Sequence, residues 1–436
     1  MISTTNLLDS RGKGRWWLLT LRFAFAVIGW VCCYWLTVDS AKTGISRLFT
    51  TTAIFQSGIE SADSAVKLAP KDPEAHYTRG LLLVNLQRLP EAVVELKQAI
   101  ELRPHYYYQW LDLGVTLDRL GDQAAAEGAL REPVRLAPFY AQPRWQLGNF
   151  LFRQGLYQEA FEDLQLGVRG NPSLSEGMFE LAWVAADGDV KRFEALTQSG
   201  NSRKRFELAA FLARQGQGPE AAQEIRAAGT PEDERDLSLL HETITQLLSA
   251  RKFDDAYAVW VTGHATEVGD RGTKPGHIVD GNFMNPIPQN DPGFGWQLGV
   301  VPDVRMSIDP TGPQLGARSL RIEYQGDSPP GSWSIRQVVL LEKHSRYSLN
   351  FVARADQLVT GGAPIIVVLD AVGGRLLGQS NPISVGSTGW IPYKVDFDVD
   401  EVTSAATIGL QRQACSQSPC PVFGRLWLSG FSLAKI

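Results

Sequence analysis

The sequence predicts a multidomain α + β chain: one N-terminal transmembrane helix, an α-helical repeat solenoid and a C-terminal antiparallel β-sandwich. Three observations predict it. A long apolar run lies near the N-terminus, a few residue types recur every 34 positions between Pro73 and Pro172, and after Ile278 the hydrophobic period changes to two. At 436 residues the chain is too long for one core. Its 44% hydrophobic and 20% charged residues describe a globular protein, not a disordered one. A net charge of −5, with no basic run in the soluble part, argues against nucleic acid as a partner.

Residues 15–38, RWWLLTLRFAFAVIGWVCCYWLTV, supply about what a helix needs to cross the hydrocarbon core. Arg22 stands near the start, where its side chain can snorkel to the headgroups. Trp16, Trp17, Tyr34 and Trp35 lie near the two ends, as an aromatic belt would. Arg11, Lys13 and Arg15 precede the run, while Asp39, Lys42 and Arg47 follow it. The positive-inside rule then places residues 1–14 in the cytoplasm and everything after about residue 40 in the periplasm or another extracytoplasmic space. The expected location is the inner membrane, crossed once, with the membrane itself as a partner. A cleaved signal peptide competes with this reading, but it needs a shorter apolar region and a small-residue site, for which VDSA is a poor match. A lipoprotein signal would carry a small residue before Cys32, where Val31 stands, so Cys32 and Cys33 are expected to be packing residues. In an oxidising compartment Cys415 and Cys420, which bracket SQSP, are expected to form a disulfide. A metal site would need a second pair of Cys or His ligands nearby, and none follows in sequence.

Pro73–Pro104 reads PEAHYTRGLLLVNLQRLPEAVVELKQAIELRP. At steps of 34, Gly80 falls on Gly114 and Gly148, Ala92 on Ala126 and Ala160, Leu96 on Leu130 and Leu164, and Pro104 on Pro138 and Pro172. The glycines and alanines let two helices approach closely, and each proline ends a unit because it cannot continue a helix. This pattern resembles the tetratricopeptide repeat (TPR), with a Leu-Gly pair in the first helix, an Ala and a large apolar residue in the second, and a closing Pro. Pro133 departs from it and is expected to kink or shorten its helix. SGIESADSAVKLAPKDP, with Ala65 and Pro70 in phase, looks like the second half of an incomplete unit. Downstream, Ala221 and Ala256 keep the rhythm with drifting spacing, so the array is expected over 50–265.

Such repeats bury a continuous core and curve into a concave face that suits an extended peptide or a neighbouring protein. The resemblance places Tyr77, Leu81 and Asn85, then Tyr108, Val115 and Arg119, then Trp145, Asn149, Phe152 and Arg153 on that face. Relatives that clamp a peptide carboxylate use a fixed set of Lys, Arg and Asn; Asn149 alone matches, so that clamp is not expected. Trp110 in HYYYQW occupies a core position, and the tyrosines beside it are expected to pack between helices.

Residues 266–277 are expected to link the array to a sandwich over 278–436. Tyr347, Leu349, Phe351 and Ala353 share one side of a strand, as do Tyr393, Val395, Phe397 and Val399. WSIRQVVL, APIIVVLDA, ATIGLQR and RLWLSGFSL also read as strands, broken by Gly, Pro, Ser and Asp. The order GNFMNP, GFGWQL, GARSLRIEY, IRQVVLLEKHSRYSLNFVARA and GRLWLSGFSL resembles carbohydrate-binding modules and related galactose-binding-like jelly rolls. Those domains close on a strand beside the first.

Sugar recognition needs an exposed aromatic face and polar side chains for the hydroxyls. Trp296, Tyr324, Trp333 and Trp390 are the aromatic candidates; Gln337 and Arg354, with Asn282 and Gln411, are the polar ones. Each tryptophan has a competing and commoner role in packing at the sandwich rim. Trp427 alternates with Phe431 and Leu433 and is expected in the core. The resemblance also raises a structural calcium, but Ser429 and Gly430 lack the charge it prefers, leaving Asp280 as a lone contributor. No metal or cofactor is expected. No Walker loop, HExxH or GxSxG element is present, and a carboxylate pair for glycoside cleavage, such as Glu323 and Asp370, is the weakest alternative. The expected protein is a non-enzymatic, membrane-anchored scaffold of the bacterial envelope. Its array would hold protein partners and its sandwich a polysaccharide, by analogy with accessory components of exopolysaccharide assembly or export. In the competing reading the sandwich caps the solenoid and binds only protein.

Overall fold

The structure, a computed structural model, describes residues 10–56, 58–198, 200–263, 276–314, 316–326, 328–415 and 419–436. Residues 1–9 of the expected cytoplasmic tail and most of the expected linker at 266–277 lie outside the described residues. The chain forms two compact units, Met1–Thr197 and Gln198–Ile436.

The first unit contains α1 (Ser10–Gln56), α2 (Ile59–Leu68), α3 (Pro73–Asn85), α4 (Leu89–Leu102), α5 (Tyr107–Leu120), α6 (Gln123–Leu136), α7 (Ala141–Arg153), α8 (Tyr157–Gly170), α9 (Ser175–Ala186) and α10 (Val190–Thr197). Turns of two to four residues join α2 through α8, which forces neighbours to run antiparallel. Within each pair a glycine of the first helix meets the leucine 16 residues later in the second. A Cβ added at Gly80, Gly114 or Gly148 would lie 2.9, 2.6 or 2.6 Å from Cγ of Leu96, Leu130 or Leu164. Ala92, Ala126 and Ala160 are fully buried on the same seam. Pro133 does not end α6 early. The helix continues to Leu136, and the Pro133 carbonyl accepts from the Ala137 amide at 2.8 Å.

α1 runs without a break from the apolar run into the repeat array. Ser46, 34 residues before Gly80, takes the small-residue position, and its hydroxyl donates to the Ala65 carbonyl of α2 at 3.1 Å. Thr50 and Ala53 are buried beside it. The stretch around Ala65 is therefore not half of an incomplete unit, because the end of α1 is its first helix. The period was hidden because Ser46 and Ala62 replace the usual Gly and Leu. Upstream, α1 is long and apolar enough to cross a membrane. Cys32 and Cys33 are exposed on it, not packed into protein.

The second unit opens with α11 (Ser202–Arg214), α12 (Gly218–Ala228), α13 (Glu234–Ser249) and α14 (Phe253–Gly263). Ala209 and Ile225 stand in the Gly and Leu positions of the first pair, both buried. Among the described residues, ten strands follow in two antiparallel sheets. One has the order β1 (Gln297–Leu298), β4 (Ile335–Leu340), β9 (Ala405–Arg412), β6 (Pro364–Asp370), β7 (Leu376–Gln379). The other has β2 (Val304–Asp309), β3 (Ser319–Gly326), β10 (Val422–Lys435), β5 (Ser345–Thr360), β8 (Ile391–Val399). The chain changes sheet at most connections, as in a jelly roll. Alternate residues of both inner faces, among them Leu320, Ile322, Leu349, Phe351, Ile366, Val395, Ile408 and Leu426, form one core.

The last strand lies between β3 and β5, not beside β1. The opening Asn-Phe segment forms no strand, though the Gly281 carbonyl accepts from the Phe431 amide at 3.0 Å and Phe283 is fully buried. A bulge between Ser429 and Ser432, with Gly430 at φ +67°, changes the parity of β10. Trp427 is buried, as expected, but the bulge puts it on the opposite face of the sheet from Phe431 and Leu433, packed under Arg354 and bonded to Asp309.

The loop ahead of β1 docks on α14. Phe294 packs edge-on to Tyr257 at 4.8 Å, and the Trp260 indole donates to Asp291 at 3.3 Å. At the far end Cys415 and Cys420 are joined by a disulfide, with Cα atoms 5.6 Å apart. Buried Arg412 donates to the Thr360 hydroxyl and the Cys420 carbonyl at 2.8 and 3.0 Å, holding that loop against β5.

The glycine–leucine seam yields a paired prediction. Gly148→Ala should lower stability by about 1–3 kcal/mol through overpacking, since the Ala160 carbonyl, 3.0 Å from the added Cβ, leaves little room to yield. Gly128→Ala, in open space on α6, should stabilise the chain by up to ~1 kcal/mol through helix propensity. Thermal unfolding of the detergent-solubilised chain checks both; equal effects would remove the close-approach explanation.

Candidate functional site

In the array, several side chains expected on the concave face are tied to polar residues of neighbouring helices and turns. The Tyr77 hydroxyl donates to Asp112 at 2.5 Å, from α3 to α5. Arg119 donates to Gln87 at 3.0 Å, and Arg153 to Asp118 at 2.6 Å. Asn85, Arg119 and Arg153 recur 34 residues apart and are all exposed, so a ladder of polar groups runs across successive first helices. Trp145 is half-buried, its ring against Gly177 of α9. The Asn149 amide donates to the Trp145 carbonyl of its own helix at 2.8 Å. Phe152 packs on Tyr157 and Phe161 at 5.3 and 6.2 Å. Of the expected groove set, Asn85, Arg119 and Arg153 present polar atoms outward. Tyr77 and Trp145 serve contacts between repeats.

Tyr108 lies elsewhere. It stacks on Tyr107 at 4.1 Å, and Tyr107 lies 5.4 Å from Tyr140 of the next turn. Tyr106, Tyr108, Phe139 and Tyr140 are exposed, so Tyr106 and Tyr108 do not pack between helices as expected, while half-buried Tyr107 does reach the turn before α7. They begin a helix, and the first residues of a helix project past its packed face.

A second polar system sits between the helices of single pairs. His76 Nδ1 lies 2.7 Å from Glu95, and Arg79 donates to Glu95 and Asp63 at 2.5 and 2.6 Å. Arg144–Asp163 and Arg205–Glu224 repeat the 19-residue spacing at 2.5 and 2.9 Å. The hydrogen bond to Glu95 raises His76 above the ordinary histidine range against the opposing effect of burial. Burial pushes the Glu95 carboxyl up, but His76 and Arg79 outweigh it and hold it low.

In the sandwich, the six expected sugar contacts do not meet. Trp296 is 4% exposed, packed on Phe283 and Phe431, with its indole donating to the Asp280 carbonyl at 3.1 Å. Tyr324 is buried in the core, which pushes its phenol up to about 12. Gln337 is fully buried and spans the Val279 amide and carbonyl at 3.0 and 2.9 Å. These three cannot touch a ligand. Their loop-like or polar context misled because an irregular segment, residues 278–296, folds over the core and needs its own hydrogen bonds met. Arg354 is on the β5 sheet, its guanidinium 4.8 Å above the ring of Trp427. The Trp427 indole donates to Asp309 at 2.9 Å. Trp390 leads into β8 of that same sheet and is half-buried.

Trp333 is placed differently. Its ring lies on the outer face of the other sheet, over Gly409, where an added Cβ would be 2.7 Å from the ring. It walls an open cleft of about 900 Å³ together with Gln289, Asn290, Gln297 and Arg336. Arg336 donates to Gln297 at 3.1 Å, and Gln297 donates to the Asp291 carbonyl at 3.4 Å. One indole, an arginine and several amides are the groups that a flat polyhydroxylated ligand needs. Gln297, Gln289 and Asn290 escaped the sequence because a two-residue strand and an irregular loop have no period, and only the polar run PQND marks the last two; Arg336 is an outward residue of β4, where one exposed charge on a strand carries no signal of a site. Asp280 is used by the backbone, accepting from the Met284 and Asn285 amides at 2.8 and 3.0 Å. Glu323 and Asp370 lie in different sheets, Glu323 paired to Arg321 at 2.7 Å and Asp370 accepting from the Val372 amide at 3.2 Å. They cannot flank one glycosidic bond.

Residues 55–107 and 111–175 match the tetratricopeptide repeat family. The chain is 29% identical over 110 residues to the interferon-induced protein with tetratricopeptide repeats 3 of Mus musculus, covering 24% of this chain and 27% of that one. It is 35% identical over 102 residues to a TPR repeat-containing protein of Pseudomonas aeruginosa, covering 23% and 42%. The matched stretch thus spans less than half the length of either relative. Among solved structures, MamA (41-end) from Desulfovibrio magneticus RS-1 is similar at 20% identity and TM-score 0.32, over 36% of this chain and 94% of that one.

The His76–Glu95 pair predicts a pH dependence. A raised histidine contributes stability in full below its unfolded value near 6.5, and loses it as pH rises through the higher folded value. Stability should therefore fall above about pH 6.5, by less than about 1.4 kcal/mol per pH unit. Chemical denaturation of the solubilised chain at several pH values checks this. The slope should flatten in His76→Gln; an unchanged slope would assign it to another group.

Proposed function

We propose that this TPR protein is a non-enzymatic scaffold of the bacterial envelope, anchored in the inner membrane by α1. Its array holds a protein partner, and its sandwich holds a polysaccharide in the cleft of Trp333. The observation that carries the glycan part is the indole of Trp333 set over Gly409 beside Arg336, Gln297, Gln289 and Asn290. Stacking supplies the apolar contact, and the amides and guanidinium supply donors and acceptors for hydroxyls. The protein-binding part rests on the repeat type and on the polar ladder of Asn85, Arg119 and Arg153. Two weak contacts on one anchored chain raise each other's effective concentration, which is how such a scaffold would retain a polymer and its machinery together. A place in exopolysaccharide assembly or export is the context this combination suits.

A second reading is favoured by the docking of Phe294 and Asp291 on Tyr257 and Trp260. There the sandwich is an end cap for α11–α14, and the whole chain binds only protein.

Binding of the full chain to a panel of bacterial polysaccharides separates the two. Saturable binding should be weakened at least tenfold (about 1.4 kcal/mol) by Trp333→Ala and left unchanged by Trp390→Ala. Binding to no polymer, or binding indifferent to Trp333→Ala, would remove the glycan site and leave the cap.

A further inference from the structure

We propose that one edge of the repeat array, formed by the turns that lead into α3, α5 and α7, rests on the lipid headgroup layer of the bilayer spanned by α1. The proposal rests on the membrane-spanning reading of α1 and adds a surface to it. Three observations carry it.

The first is length. Val38 ends the apolar run and Ser46 is already buried against α2, with unbroken helix between them. Eight residues of helix rise about 12 Å. The headgroup region is roughly 5–8 Å deep on each side. No flexible tether separates span from array, so the first repeats stand at the membrane surface.

The second is direction. α3 and α5 run parallel, since Tyr77–Asp112 joins them near their starts and Gln87–Arg119 near their ends. α7 follows in the same sense, with Arg153 on Asp118 of α5. Arg47 of α1 lies 3.8 Å from Asp72, the N-cap of α3. The start of α3 is therefore level with the part of α1 that has just left the apolar run. The turns at 69–72, 103–106 and 137–140 open on the side from which α1 comes, and those at 86–88, 121–122 and 154–156 on the far side.

The third is chemistry. The near edge carries Phe139 at 92% exposure, Tyr140 at 59%, Tyr106 at 38% and Tyr108 at 37%. Arg103 sits over the Tyr106 ring at 5.4 Å, and Lys71 is exposed in the preceding turn. Phe139 is the most exposed aromatic among the described residues, whereas the far edge bares Leu86, Leu120, Leu156 and Tyr157 to 50% or less. Tyrosines with a polar tip, interleaved with cations, suit the headgroup level of a bilayer, where ring and charge both find partners.

The test places a spin label on each edge of the full chain, with Cys32→Ser and Cys33→Ser removing the free thiols. Phe139→Cys reports the near edge and Gln158→Cys the far one, both at exposed positions that leave packing intact. The protein is reconstituted in vesicles of phosphatidylcholine and phosphatidylglycerol, and label accessibility to a water-soluble nickel complex is compared with that to oxygen. The expected result is several-fold lower nickel access at 139 than at 158, with oxygen access at 139 raised. Equal nickel access at the two positions, or protection of 158 alone, overturns the proposal while leaving the anchor in place. Protein that alkaline carbonate strips from the vesicles overturns the anchor, and the surface contact with it.

Discussion

The close approach of paired helices at Gly80, Gly114 and Gly148 is the constraint on which the first unit depends. Each glycine leaves room for the leucine 16 residues later, so that one leucine side chain fills the gap and the two helices of a repeat pack closely. That distance sets where everything else falls. It brings residues 19 apart into ion-pair range, as at His76–Glu95 and Arg144–Asp163, and lines up first helices so that residues near one repeat length apart join hands. The same seam, with Ser46 in the small-residue position, fuses α1 to the array. The long apolar helix and the first helix of the solenoid are then one continuous element.

The sandwich follows a different rule. Its core is built by alternation, and whatever interrupts alternation decides which face a group takes. The bulge at Gly430 puts Trp427 on the outer face of its sheet, buried under Arg354, while the irregular segment 278–296 folds Trp296 and Phe283 inward. Gly409 leaves a strip of sheet bare, and Trp333 lies across it. The missing side chain at Gly409 gives the Trp333 ring, one wall of the cleft, its seat.

Much of this was legible in the residues alone. The 34-residue period, the apolar run and the switch to period two after Ile278 follow from local patterning, because helices and strands repeat their burial at fixed intervals. Tyr347, Leu349, Phe351 and Ala353 are buried together for that reason. Trp296, Tyr324 and Gln337 were not readable as core, since burial of a polar or loop residue depends on what covers it, and that cover comes from residues distant in sequence.

By itself the sequence determined the element types, the repeat unit and the order of a long apolar helix, an array and a sandwich, since these depend on periodicity within a few turns of chain. Only the tertiary structure decided the rest. It made α1 part of the first repeat, split the six expected sugar contacts between a core and two outer faces, and gathered Gln289, Asn290, Gln297, Trp333 and Arg336 at one cleft. Those outcomes turn on contacts between segments tens of residues apart, and on which strand pairs with which, and no local pattern records either.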